Sequence, residues 1–186
     1  LNAQYGMDKG ILKGYFVWLG TALSGNWGDS WAWTIPVTKE FHNTIWYSFA
    51  LSLVSFFVEI LVAIPLGILA AKKQYGFADY FTTVFAMISI SLPTFFLATL
   101  LKYIFSVKLG WFDLMGMQGR NYQSLSQFGK FLDLAKHFFL PALTLSIISI
   151  GGLMRYTRTN MLEVLNSDYI RTARAKGVPE KKVINY

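Results

Sequence analysis

Residues 44–71 read Thr44-Ile-Trp-Tyr-Ser-Phe-Ala-Leu-Ser-Leu-Val-Ser-Phe-Phe-Val-Glu-Ile-Leu-Val-Ala-Ile-Pro-Leu-Gly-Ile-Leu-Ala-Ala71, 28 residues with a single charge, Glu59. A bilayer core ~30 Å thick is crossed by about 20 helical residues rising ~1.5 Å each, so this stretch is long enough to span. Further along, residues 81–101 form 21 uncharged residues and residues 138–154 form 17. The third block spans if the helix extends over 135–156, with Lys136 and Arg155 snorkelling at its ends. Soluble helices average about 11–12 residues and rarely run uncharged this long. The expected fold is therefore all-α, a polytopic membrane helical bundle with spans near 44–71, 80–105 and 135–156. Trp46, Tyr47, Tyr75, Tyr80, Tyr103 and Trp111 fall at the span ends, where amphipathic rings favour the headgroup layer.

Of the 186 residues 54% are hydrophobic and 15% charged, with no Cys and a net charge of +7. That balance excludes a disordered chain and a disulfide-stapled domain. The placement of charge sets the orientation. Residues 72–80 and 155–186 must share a side and hold nine Lys/Arg in 41 residues, against seven in the 74 residues of 1–43 and 106–136. The denser side is cytoplasmic. The N-terminal segment 1–43 is then external and the C-terminal segment 157–186 cytoplasmic. This accounts for most of the surplus charge without nucleic acid, and no zinc, RRM or KH pattern accompanies it.

In the external segment, Ile11, Tyr15, Trp18 and Leu19 share one helical face, with Lys9 and Lys13 near its start. Such a helix suits the membrane interface, or packing on other outer loops. Trp27, Trp31 and Trp33 follow a turn-rich stretch and have three open readings: membrane anchor, local packing or mouth lining. The loop 106–136 is expected to fold over the outer face.

Glu59 lies near the middle of the first span. An intramembrane acid costs roughly 2.5–3.5 kcal/mol on insertion scales and faces a cavity or a partner. It either lines a translocation path or is satisfied at a helix contact. Pro65, Pro93 and Pro141 lie in or at the start of spans and remove backbone donors there. Gly67 and the pair Gly151-Gly152 permit close helix approach.

Beyond the third span, Asn166-Ser-Asp-Tyr-Ile-Arg-Thr-Ala-Arg-Ala-Lys-Gly-Val-Pro-Glu180 reads as a short helix, a stop and a second helix. Ser167 is placed to N-cap, Asp168 sits at the positive end, Lys176 suits the last turn and Gly177 the stop. Pro179 can open the next helix. Ala173 and Gly177 are four apart, a small-residue face flanked by Arg171, Arg174 and Lys176. From the residues alone this is either a docking element or a basic juxtamembrane stretch drawn to anionic lipid.

The run from Asp168 to Gly177 resembles the cytoplasmic coupling loop of ABC-importer permeases of the dipeptide/oligopeptide/nickel family, B-type subunit. Residues 15–20 with 25–30, 63–70, 91–96, 108–111, 140–144 and 158–165 resemble the same family in order. The general importer motif is Glu-Ala-Ala, three residues, Gly. Here Arg171, Thr172, Ala173 and Gly177 stand at those positions, and only Ala173 and Gly177 match. The resemblance implies a type I importer permease fold and ATPase coupling through Asp168, Tyr169, Arg171, Ala173, Arg174, Lys176 and Gly177. The partners it implies are a homologous C-type permease, two ABC ATPase subunits, an external substrate-binding protein and the lipid bilayer, in a bacterial or archaeal inner membrane. Family permeases have about six spans, so it also implies a fragment lacking the first span and the last two.

The chain has no G-x-x-x-x-G-K-[ST] loop, so ATP would be handled by another chain. His42 and His137 have no zinc-protease spacing and there is no nucleophile elbow, so a transport subunit without cofactor or metal is expected rather than an enzyme. The alternatives from other classes are an ion channel or voltage-responsive module, for which Arg155 and Arg158 are too few charges, and a non-transporting scaffold.

Overall fold

The computed structural model describes residues 10–185. Lys9, assigned above to the start of the first helix, lies outside them. The order is α1 (Ile11–Leu23), α2 (Val37–Lys72), α3 (Phe77–Ser91), α4 (Thr94–Lys102) with a π-helical extension Tyr103–Lys108, a 3-10 turn Tyr122–Ser124, α5 (Gln127–Leu165), α6 (Asp168–Ala175) and α7 (Glu180–Asn185). Among the described residues the only β pairing is an isolated bridge, Asp29 with Pro36. The fold class is all-α. Helices α2 and α5 are each long and apolar enough to cross a membrane, and α3 with α4 makes a third crossing if the bent pair is one span.

The chain divides into two compact units, meeting at Ala50 and Leu51. In the first unit α1 buries none of its residues. Trp27 packs locally: its ring meets Phe41 edge-on at 5.3 Å, and its indole N–H donates to the Ala22 carbonyl at 3.1 Å. Trp31 and Trp33 are exposed.

The second unit is built inside out by the standards of a soluble protein. Most of its buried positions are small or hydroxylic, such as Ser55, Ala63, Ala70, Ala86, Ser89, Thr144 and Ser146. Its exposed positions include Phe56, Phe57, Leu61, Phe81, Met87 and Ile88. Lipid offers no hydrophobic drive between helices, so close packing of small residues holds them together and bulky apolar groups face the acyl chains. Ala63, Ala86, Ile150 and Met154 form the centre. A Cβ on Gly151 would stand 2.6 Å from the Ser89 Cβ and 3.3 Å from the Ala86 Cα, so α3 and α5 touch backbone to backbone there. A Cβ on Gly67 would stand 2.7 Å from the Thr157 Cβ, the equivalent contact of α2 with α5. Gly152 has open space around it and takes no part, contrary to the pairing of both glycines read from sequence.

Of the three prolines, Pro93 alone breaks its helix; Pro65 and Pro141 lie within α2 and α5. The residue before a proline is driven toward extended backbone, and Leu92 adopts φ −82°, ψ 126°. The Pro93 carbonyl then starts α4 by accepting the N–H of Phe96 at 3.0 Å and of Leu97 at 3.1 Å. The apolar stretch read as one segment over 80–105 is thus two helices meeting at 100°. Helix α5 begins at Gln127, earlier than the sequence block suggests, because the Ser126 hydroxyl accepts the Gly129 N–H at 3.2 Å and caps it. At 39 residues it is about 58 Å long, well beyond one bilayer core.

Candidate functional site

The C-terminal end of α5 carries a two-helix unit. Residues Asp168–Ala175 form α6, and Asp168 lies in its first turn. Ser167 occupies the N-cap position, but its hydroxyl donates backward to the Val164 carbonyl at 2.6 Å and makes no side-chain cap. Its backbone carbonyl does the starting work, accepting the Arg171 N–H at 3.1 Å.

The stop is well built. Gly177 has φ +76°, its N–H donates to the Arg174 carbonyl at 3.0 Å, and the Val178 N–H donates to the Ala173 carbonyl at 3.2 Å. These are the two reversed bonds of a Schellman motif, which needs a residue at ease in the left-handed region. Gly177 therefore lies past the helix and does not extend the face of Ala173, as the four-residue spacing suggested. A side chain there would meet nothing within 4 Å, so the backbone angle is what calls for glycine.

Arg174 is turned inward on the unit. Its guanidinium forks onto Glu180, at 2.7 Å from Nη2 to Oε1 and 3.1 Å from Nε to Oε2, and Nη1 lies 3.4 Å from the Leu165 carbonyl. One side chain thus joins α6, α7 and the end of α5. The hydrogen bonds from Arg174 hold the Glu180 carboxyl below the usual glutamate range, and the same bonds raise Arg174. Ile170 and Val183 are buried between the two helices. A cleft of about 510 Å³ opens there, with Tyr169, Ala173, Val178 and Lys182 on its walls.

Of the residues singled out from sequence, Tyr169, Arg171, Lys176 and Asp168 are exposed and Ala173 is half-buried on the cleft. Arg171 and Asp168 make only a loose surface pair at 3.4 Å. Glu59 is elsewhere, half-buried on the α2 face that also carries buried Ser55 and Ala63 one turn away on either side. No hydrogen bond or ion pair holds Glu59 among the described residues.

Sequence reasoning missed the polar link that ties this end together. Asp79, in the first turn of α3, is buried and receives Arg158 of α5 in a two-pronged pair, with Nη2 to Oδ2 at 2.9 Å. The same Oδ2 accepts the Tyr75 N–H at 2.9 Å, in a turn where Tyr75 takes φ +61°. Planar guanidinium and carboxylate match in a fork, which fixes orientation as well as contact. The signal was present as the one acid in a short basic connection, but its partner is 79 residues away.

The comparisons with known proteins agree with this architecture. Residues 63–186 match the family described as "Binding-protein-dependent transport system inner membrane component". The chain is 38% identical over 182 residues to the oligopeptide transport system permease protein AppB of Bacillus subtilis, covering 97% of this chain and 56% of that protein. It is 29% identical over 197 residues to the dipeptide transport system permease protein DppB of Alkalihalophilus pseudofirmus, covering 99% of this chain and 59% of that protein. The chain spans a little over half the length of these relatives. With its small-residue helix packing and its match over residues 63–186, the chain belongs to the family of binding-protein-dependent transport system inner membrane components.

Proposed function

We propose that this chain is part of the transmembrane permease subunit of an ATP-driven importer for peptides or related small solutes such as nickel chelates. It would form half of the translocation path beside a homologous C-type permease. An external substrate-binding protein delivers the solute, and two ABC ATPase subunits hydrolyse ATP. Residues 1–43 lie outside the bacterial or archaeal cell membrane and residues 157–186 lie in the cytoplasm.

The observation that carries this reading is the continuity of α5. One helix runs from the apolar block through Arg158 to Leu165, and the folded α6–α7 unit follows after a two-residue turn. A rigid helix delivers displacement at its end to its whole length, which is what coupling to a closing ATPase requires. Tyr169, Ala173 and Val178 offer an apolar seat, with Arg171 and Lys176 on the exposed surface. Arg174 would act by holding α7 in place rather than by touching the ATPase.

Gly177→Arg tests the coupling role in the assembled transporter. Substrate-stimulated ATP hydrolysis and uptake are expected to be lost while membrane insertion is kept. Full stimulation in that variant would remove the docking assignment. Glu59, which has no partner among the described residues, is read as lining the path. Glu59→Gln is expected to slow transport severalfold; an unchanged rate would return it to a packing role.

A further inference from the structure

A second cavity lies far from α6. It has a volume of about 370 Å³ and sits between α4 and α5, roofed by residues 112–116. Ligand pockets run from about 300 to 1,000 Å³, so this one suits a group the size of a peptide end. One wall is the face Thr94, Ala98 and Lys102, spaced four apart on α4. The other is α5, with Lys136, His137, Pro141 and Thr144. Pro141 has no N–H to give the His137 carbonyl, so that acceptor lacks its usual intrahelical donor.

The charges in the lining are unequal in their commitments. Asp113 faces the His137 Nε2 at 3.4 Å. Asp133, just outside, accepts the Gly119 N–H at 2.8 Å, and its carbonyl lies 2.8 Å from the His137 Nδ1. Lys102 and Lys136 have no ion-pair or hydrogen-bond partner among the described residues. Asp113, Leu114, Met115 and His137 are shared with a larger recess of about 720 Å³ under the loop, so a longer ligand has room to extend outward.

We propose that this cavity receives the carboxylate-bearing end of a peptide, with Lys102 and Lys136 as its anion donors and the surrounding apolar wall as a seat for the terminal side chain. The assignment rests on the peptide-permease reading above. Lys102 is half-buried and Lys136 exposed at the rim; an ammonium in either place gives a carboxylate a charge-assisted bond, while Ala98 and the proline ring tolerate varied side chains.

The test uses the complete transporter in proteoliposomes with its binding protein. Two tripeptides are compared, one with a free C-terminal carboxylate and one with a C-terminal amide, chosen so that the wild type carries both. In the double variant Lys102→Gln, Lys136→Gln, uptake of the free acid is expected to fall about tenfold and uptake of the amide to stay at the wild-type rate. Lys102→Arg with Lys136→Arg should retain the preference. An equal fall for both peptides, a fall that follows the anionic-lipid content of the vesicles, or no change in either would overturn the assignment. A wild-type transporter that carries no peptide at all would instead overturn the peptide-permease reading itself.

Discussion

At the scale of single residues, the chemistry of the α6–α7 unit turns on Gly177, Arg174 and Glu180. The glycine stop was legible because a residue free to take positive φ after a short polar helix has few other uses. The pairing of Arg174 with Glu180 was not, since six residues apart across a turn is no helical spacing. It gives Arg174 a role within the chain, joining α6 to α7 and to the end of α5. Glu180 has a carboxyl held low in the folded state by Arg174. Its pairing therefore supports the α6–α7 arrangement fully above the ordinary glutamate range and is lost as pH falls through the lowered value. Spin labels on α6 and α7 should report a constant separation from neutral pH down to mildly acidic pH, then loosening in stronger acid. Glu180→Gln should show the loosened separation already at neutral pH; a fixed separation in that variant would contradict the stapling role.

At the scale of elements, the three apolar blocks were legible by length and lack of charge, because lipid imposes that demand on any spanning helix. Less legible was which small residues make contact, since that depends on the rotation of each helix. Gly151 and Gly152 are neighbours in sequence, yet one is pressed on Ser89 and Ala86 and the other faces open space. Gly151→Ala is expected to destabilise the α3–α5 contact by about 1–3 kcal/mol, as overpacking does. Gly152→Ala should be neutral or gain up to about 1 kcal/mol from helix propensity. Thermal unfolding of the two variants in detergent separates them; equal midpoints would mean that the close approach at Gly151 is not formed. The 100° bend at Pro93 was likewise hidden, because proline within an apolar run is compatible with both a kink and a break. Pro65 and Pro141 lie inside continuous helices, whereas Pro93 stands at a break. The long-range fork of Arg158 onto Asp79 follows from the packing of α3 on α5 and has no local sequence signature.

At the scale of the whole molecule, part of the net positive charge sits on the α6–α7 unit, and two lysines without a partner among the described residues stand beside the cavity between α4 and α5. The inverted burial pattern, small residues inside and phenylalanines outside, was foreshadowed by the composition and is explained by the bilayer as solvent. The family was legible in the run of motifs along the chain, while the cavity between α4 and α5 was not, since its walls come from two helices and a loop that only the folded chain brings together. The central claim is that this chain belongs to a permease half driven by a separate ATPase. It is tested most directly by purifying the complete transporter around this chain into proteoliposomes and measuring uptake of a radiolabelled peptide with and without ATP and the binding protein. The account predicts accumulation that requires both, and that Gly177→Arg abolishes. Peptide or ion flux that proceeds at the same rate without ATP would contradict it.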